Sequence, residues 1–246
     1  MVSIRKIPLV VSLLLAMAGC SSPAPTESSK EATISDAALA AGTPDIALHL
    51  ADDALAHDPG DASALTRRGL ALTALGRLQE ARESLRKVVT SQPRNSRALL
   101  ALGRVELPVD PASAEGRFQA ILLQEPRNAA ALNNLGIARD LQDRHGDAEP
   151  AYRAALAASP DMTAAKVNLA LCLAIRGQGS EAIALLRPMA DAPTATRKMQ
   201  QDFAAVLAMS GERVEAEHIL STNMAVNEIA PALAELASAR VGNVTR

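Results

Sequence analysis

The 246-residue chain repeats itself about every 34 residues, and few folds are compatible with that. Alanines stand at Ala47, Ala81, Ala114, Ala148, Ala182 and Ala216, at intervals of 34, 33, 34, 34 and 34. Gly69, Gly103, Gly136, Ala170 and Ala204 follow the same step, as do Pro59, Pro93, Pro126, Pro160 and Pro193. A period of this size is one helix–turn–helix unit. Its apolar stripe can be buried only against the next unit, so an all-α solenoid is expected. Hydrophobic residues make up 48% of the chain but aromatic residues only 1%: Phe118, Tyr152 and Phe203. A core of Ala and Leu suits close-packed helices. It suits sheets poorly, because strands favour β-branched and aromatic side chains.

The clearest unit runs from Ala129 to Pro160 and contains Leu132, Leu135, Gly136, Ala148, Tyr152 and Pro160. This resembles the tetratricopeptide repeat (TPR) pattern W-x2-L-G-x2-Y, then A-x3-F, then P, with Leu132 in place of Trp and Arg139 in place of the first Tyr. About six such repeats fit residues 31–226. In the first, a weak helix near Glu31 to Ala41 precedes a helix expected to open with Thr43 as cap and Pro44 at the first helical position. The third repeat, Ser96 to Asn128, is one residue short, and the deficit fits the turn Leu107 to Asp110. In the fourth, Asp147 is placed to cap the second helix, which would put Pro150 in its first turn. In the fifth, Pro188 lies inside the second helix and is expected to bend it. Residues 227–246 are read as a capping helix, Glu228 to Arg240, and a tail.

The TPR resemblance implies that the second, fifth, ninth, twelfth and thirteenth residues of each repeat line a concave groove. These are Ser63, Thr66, Leu70, Thr73 and Ala74 in repeat 2. They are Ala130, Asn133, Ile137, Asp140 and Leu141 in repeat 4, and Ala164, Val167, Leu171, Ala174 and Ile175 in repeat 5. Asn133, Ile137, Asp140, Leu141, Val167, Asn168, Leu171 and Ile175 are the candidate partner-binding residues. The lining is mostly apolar, which suits an apolar segment of a protein partner. The other reading of Val167, Leu171 and Ile175 is that they pack against a neighbouring helix. Some TPR adaptors clamp a terminal carboxylate with Lys and Asn. Here Asn168 fits one such position, but Asn133 and Ile137 stand where Lys and Asn are needed.

Residues 1–19 read as a secretory leader. Arg5 and Lys6 form a positive start, Ile7 to Met17 a short apolar run, and Ala18 and Gly19 a small pair before Cys20. The apolar run is too short to be read as a spanning helix. The stretch resembles a bacterial lipoprotein signal, with Met17 where Leu is usual. That resemblance implies lipidation of Cys20. Because Ser21 rather than Asp follows, it also implies the periplasmic face of the outer membrane. Residues 20–30, rich in Ser and Pro, read as a flexible tether. Cys172, inside the apolar run LALCLAI, reads as a small buried hydrophobe.

Catalytic and nucleic-acid-binding chemistry finds no support. The net charge is −2 and no basic cluster is interleaved with aromatic residues. His49, His57, His145 and His218 form neither H-E-x-x-H nor a zinc spacing with cysteine, and no phosphate loop or nucleophile elbow occurs. The expectation is a non-enzymatic binding protein without metal, cofactor or small-molecule substrate.

The stretches NNLGIARDLQDRHGDAEPAYRAAL, NLALCLAIRGQGSEAIALLRPMA and DFAAVLAMSGERVEAEHIL, together with the leader, resemble the TadD-like TPR lipoproteins of the tight-adherence (Flp) pilus system. The resemblance implies an adaptor in assembly of that machinery, with a secretin or another Tad component as partner. The alternatives are a TPR lipoprotein of another envelope system, such as a type IV pilus pilotin or a barrel-assembly accessory, and a periplasmic enzyme or cell-wall enzyme activator.

Overall fold

The computed structural model describes residues 27–222, 228–231 and 233, with side-chain surroundings from residue 31 onward. Cys20, the leader, the tether up to residue 26 and the tail beyond residue 233 lie outside the described residues. All regular structure described is helical. The helices are α1 (Glu27–Ala40), α2 (Pro44–His57), α3 (Ala62–Ala74), α4 (Leu78–Ser91), α5 (Ser96–Glu106), α6 (Pro111–Leu122), α7 (Ala129–Asp140), α8 (His145–Ala158), α9 (Thr163–Ile175), α10 (Gly179–Ala190), α11 (Arg197–Ser210) and α12 (Arg213–Ser221). Each packs on its neighbours in sequence. The odd-numbered helices also touch one another, α1 with α3 through to α9 with α11. The odd helices therefore form one continuous layer.

The repeat markers are the packing contacts. Ala47, Ala81, Ala114, Ala148, Ala182 and Ala216 are all fully buried. The small residue of each first helix faces the large residue of the second. A Cβ on Gly69 would meet Leu85, one on Gly103 would meet Phe118, and one on Gly136 would meet Tyr152. Repeats 5 and 6 put Ala170 and Ala204 at this place, with Leu186 and Leu220 at the places equivalent to Tyr152, all buried. Ile229 and Leu233 are buried in the same core cluster as Leu207 and Leu220, so the segment after α12 covers the last repeat.

Two local devices punctuate the repeats. The first is an N-cap one residue ahead of odd helices. Asp61 accepts from the Ser63 and Ala64 amides, Asn95 from Ala98, Asn128 from Ala131 and Thr196 from Met199. These side chains satisfy amides that a helix start leaves without partners. The second is a left-handed residue closing the odd helices: Gly42, Gly76, Asp143, Gly177 and Gly211 all have positive φ. The residue after each donates back to a carbonyl five residues before it, as in Arg77 to Leu72 at 2.8 Å and Gln178 to Leu173 at 2.8 Å. This is the Schellman arrangement, and glycine adopts it without a Cβ penalty. Repeat 3 has no left-handed residue in its turn. Its missing residue is the one that would have stood there, between Val109 and Asp110.

Three expectations are corrected. Helix α1 begins at Glu27, so the helix takes the last four residues assigned to the tether. Thr43 occupies the N-cap position of α2 but its hydroxyl makes no cap bond; it donates backward to the Ala38 carbonyl at 3.0 Å. Helix α8 starts at His145, ahead of Asp147, so Pro150 falls in its second turn and removes the bond to the Gly146 carbonyl. Asp147 pairs instead with Arg144 at 2.9 Å. Pro188 lies inside α10 as expected, in its last turn, and the helix continues to Ala190. Asp110 caps α6, accepting from the Ser113 amide at 3.0 Å ahead of Pro111.

Ion pairs tie consecutive repeats on the outer side. Glu115 of α6 accepts from Arg139 at 3.0 Å, from Gln142 at 3.0 Å and from Arg144 at 2.7 Å. Burial alone would raise the Glu115 pKa, but these donors together hold it below the usual carboxylate value. Arg187 forks onto Glu215 at 2.7 and 2.9 Å while lying 5.1 Å from the Phe203 ring centre.

Candidate partner-binding groove

The layer of odd helices presents one open stripe per helix, and burial shows which residues make it. On α5 the stripe is Arg97, Leu100 and Arg104; every other residue from Ala98 to Leu107 is buried. On α7 it is Ala130, Ile137 and Leu141, and on α9 it is Ala164, Asn168, Leu171 and Ile175. On α11 it is Lys198, Gln201, Ala205 and Ala208. The residues recur at steps of three, four or seven, as one face of a helix must.

The candidate residues divide accordingly. Leu141 is 54% exposed and projects from the end of α7. Ile137, Leu171 and Ile175 are half-buried and pack against the core, which leaves one side of each open. Val167 is buried in the core cluster, as the packing reading has it. Asn133 is 4% exposed and accepts a 3.0 Å hydrogen bond from Asn168 Nδ2, so these two amides join repeats 4 and 5. Asp140 is engaged from two sides: Tyr152 donates to it at 2.6 Å, and His145 Nδ1 lies 2.8 Å from its other oxygen. The surface left for a partner on α7 and α9 is therefore apolar, built from Ile137, Leu141, Leu171 and Ile175, with the outer side of Asn168 beside it.

Repeat 3 contributes residues that the sequence reading did not extract. The positional rule applied to repeat 4 would have found them. Counted from Ser96, Arg97 is the second residue, Leu100 the fifth and Arg104 the ninth. Arg97 reaches over α3 to make a forked ion pair with Asp36 of α1, 61 residues away. In repeat 6, Lys198 is held by Asp202 at 2.8 Å. Arg104 makes no ion pair or hydrogen bond among the described residues. Its side chain is solvent-accessible, yet desolvation by the surrounding protein lowers its pKa from the ordinary guanidinium value.

Cys172 sits beneath this surface. Its thiol donates to the His145 carbonyl at 3.3 Å, and burial first, then the Asp140 carboxylate, pushes its pKa up to about 12. It is therefore a protonated, covered thiol at neutral pH. In a Cys20→Ser chain, where Cys172 is the remaining cysteine, Ellman's reagent should react only as urea unfolds the repeats. Reaction at an exposed thiol's rate without urea would contradict this placement. The unfolded chain gives up the proton near 9 and the folded one near 12. Stability should thus be unaffected below pH 9 and fall as the pH rises above it.

Two family models, both described as tetratricopeptide repeat, match the chain. One covers residues 33–96, 75–107 and 110–163, and the other covers 141–201. The chain belongs to the tetratricopeptide repeat family. Among solved structures, this TPR protein superposes on PilW, described as a widely conserved type IV pilus biogenesis factor. The TM-score is 0.72 at 22% identity, covering 81% of this chain and 94% of that one. It superposes on a thermophilic TPR protein of Thermus thermophilus with TM-score 0.64 at 21% identity, covering 73% and 98%. Against pilF of Pseudomonas aeruginosa the TM-score is 0.65 at 17% identity, covering 78% and 88%. At such identities the likeness is one of fold. The human FK506-binding protein-like protein is 41% identical over 80 residues, 30% of this chain. The TPR chain spans only 23% of that relative's length. As a TPR solenoid the chain is a protein-interaction scaffold.

Proposed function

We propose that this TPR protein is a lipid-anchored adaptor on the periplasmic face of the outer membrane. Its groove would hold a secretin or another component during assembly of the tight-adherence (Flp) pilus machinery. The observation that carries the adaptor reading is the continuous apolar surface of Ile137, Leu141, Leu171 and Ile175. A solenoid exposes such a face to take a chain segment. The anchoring part rests on the leader and Cys20. The pilus part rests on the resemblance of repeats 4 to 6 to TadD-like proteins.

A second reading, an accessory of type IV pilus assembly, is favoured by the fold likeness to PilW and pilF. The discriminating experiment is a deletion strain complemented with the wild-type gene or with Cys20→Ser. The expected result is loss of surface Flp pili and of assembled secretin in the deletion strain. Wild type should restore both. Cys20→Ser should leave the protein in the soluble periplasmic fraction with piliation lost. Intact Flp pili with lost type IV pili would favour the second reading, and unchanged localisation of Cys20→Ser would remove the anchor.

A further inference from the structure

Within the groove, the charges of Asp36 and Arg97 cancel in a forked pair, and those of Lys198 and Asp202 cancel likewise. The Asp140 carboxylate is occupied by Tyr152 and His145. Arg104 is the charged side chain of these stripes that the described structure leaves without a counter-charge. It sits one helical turn beyond Leu100 on α5 and occupies the place in repeat 3 that Ile137 holds in repeat 4 and Leu171 in repeat 5. Cation, Ile137 and Leu171 thus follow one another along the groove at one-repeat steps. A desolvated guanidinium gains most from a carboxylate, which it can meet with two parallel hydrogen bonds.

Resting on the adaptor reading above, we propose that the groove takes an extended peptide segment carrying one acidic side chain for Arg104, followed by apolar side chains for Ile137 and Leu171. The spacing follows from geometry. Adjacent packed helices lie about 8–10 Å apart. An extended chain advances about 3.3 Å per residue. One repeat therefore corresponds to about three peptide residues, and the segment reads acid-x-x-apolar-x-x-apolar in one chain direction or the other. The Asp36–Arg97 pair bridges the groove at its α1 end, so the segment enters from Arg104 toward α9. The apolar Ile137 and Leu171 that follow Arg104 along the groove suit the side chains of a peptide, which makes a peptide carboxylate the ligand.

The test is selection of randomised linear peptides on the detergent-solubilised full chain, carried out in parallel on wild type, Arg104→Glu and Leu141→Asp. Wild type should enrich Asp or Glu with an apolar residue three positions away. Arg104→Glu should replace the acid by Lys or Arg at the same place. A selected acidic peptide, resynthesised, should bind Arg104→Ala about tenfold more weakly. Enrichment of apolar residues without an acid, with binding lost in Leu141→Asp, would overturn the role of Arg104 and leave the groove reading standing. No enrichment on wild type, or peptides indifferent to both substitutions, would overturn the groove reading itself. Far-UV circular dichroism of the variants, both at accessible positions, verifies that each is folded.

Discussion

Tyr152→Ala is expected to cost about 3–5 kcal/mol of unfolding free energy, the range for removing a large buried ring. Tyr152→Phe should cost about 1.5–3 kcal/mol, the share of a hydrogen bond to a charged acceptor. The difference between the two follows from what each removes. The ring is 1% exposed and fills the space left by Gly136, in one cluster with Val167, Leu169 and Leu173 of the next repeat. Alanine would leave a cavity across the junction of repeats 4 and 5. Phenylalanine keeps the ring and removes only the 2.6 Å bond to Asp140, which retains its contact with His145. In a solenoid each repeat is stabilised by its neighbours, so a cavity at one junction also uncouples the two sides. Urea unfolding followed by far-UV circular dichroism should show a single transition for Tyr152→Phe. Tyr152→Ala should give a broadened or split one. Equal costs for the two substitutions would mean that the hydroxyl, not the ring, holds this junction.

The period was legible in the sequence because packing leaves a mark at fixed offsets. Where two helices approach closely, only Gly or Ala fits, and Ala47 through Ala216 record that at every repeat. The helix boundaries were less legible, because a cap depends on backbone geometry that residue type does not determine. Thr43 stands ahead of a proline as a cap would, yet its hydroxyl turns back to Ala38. Asp147 has the right chemistry but sits inside a helix that has already begun at His145. Meanwhile Asp61, Asn95, Asn128 and Thr196 repeat with the same period as the alanines and were open to the same reading. The groove was legible by position but not by state. Asn133 and Ile137 both follow the lining rule, yet Asn133 is covered because Asn168, 35 residues on, bonds to it. Arg97 and Arg104 share one helix face, and sequence treats them alike. Only the folded chain brings Asp36 to the first and leaves the second free.

Substituting Gly103 and Phe118 together should recover much of what either substitution loses alone. A Cβ on Gly103 would lie 2.6 and 2.7 Å from the Phe118 ring, closer than real contacts allow. Gly103→Ala would gain up to about 1 kcal/mol of helix propensity. Against that stands overpacking of about 1–3 kcal/mol, and because Phe118 is fully buried, the clash should win. Phe118→Leu alone relieves no clash and leaves a gap, at about 1–1.5 kcal/mol. In the double variant the new methyl enters the space the ring has left. That pairing already exists in this chain: repeat 5 places Ala170 and Leu186 at the equivalent sites, and both are fully buried. The double-mutant cycle, read by urea unfolding, should show a favourable coupling of about 1–2 kcal/mol. If the two costs simply add, the small and large residues of each repeat are not matched to one another. A stabilising Gly103→Ala would mean that the ring moves aside freely, and that the glycine is not there to admit it.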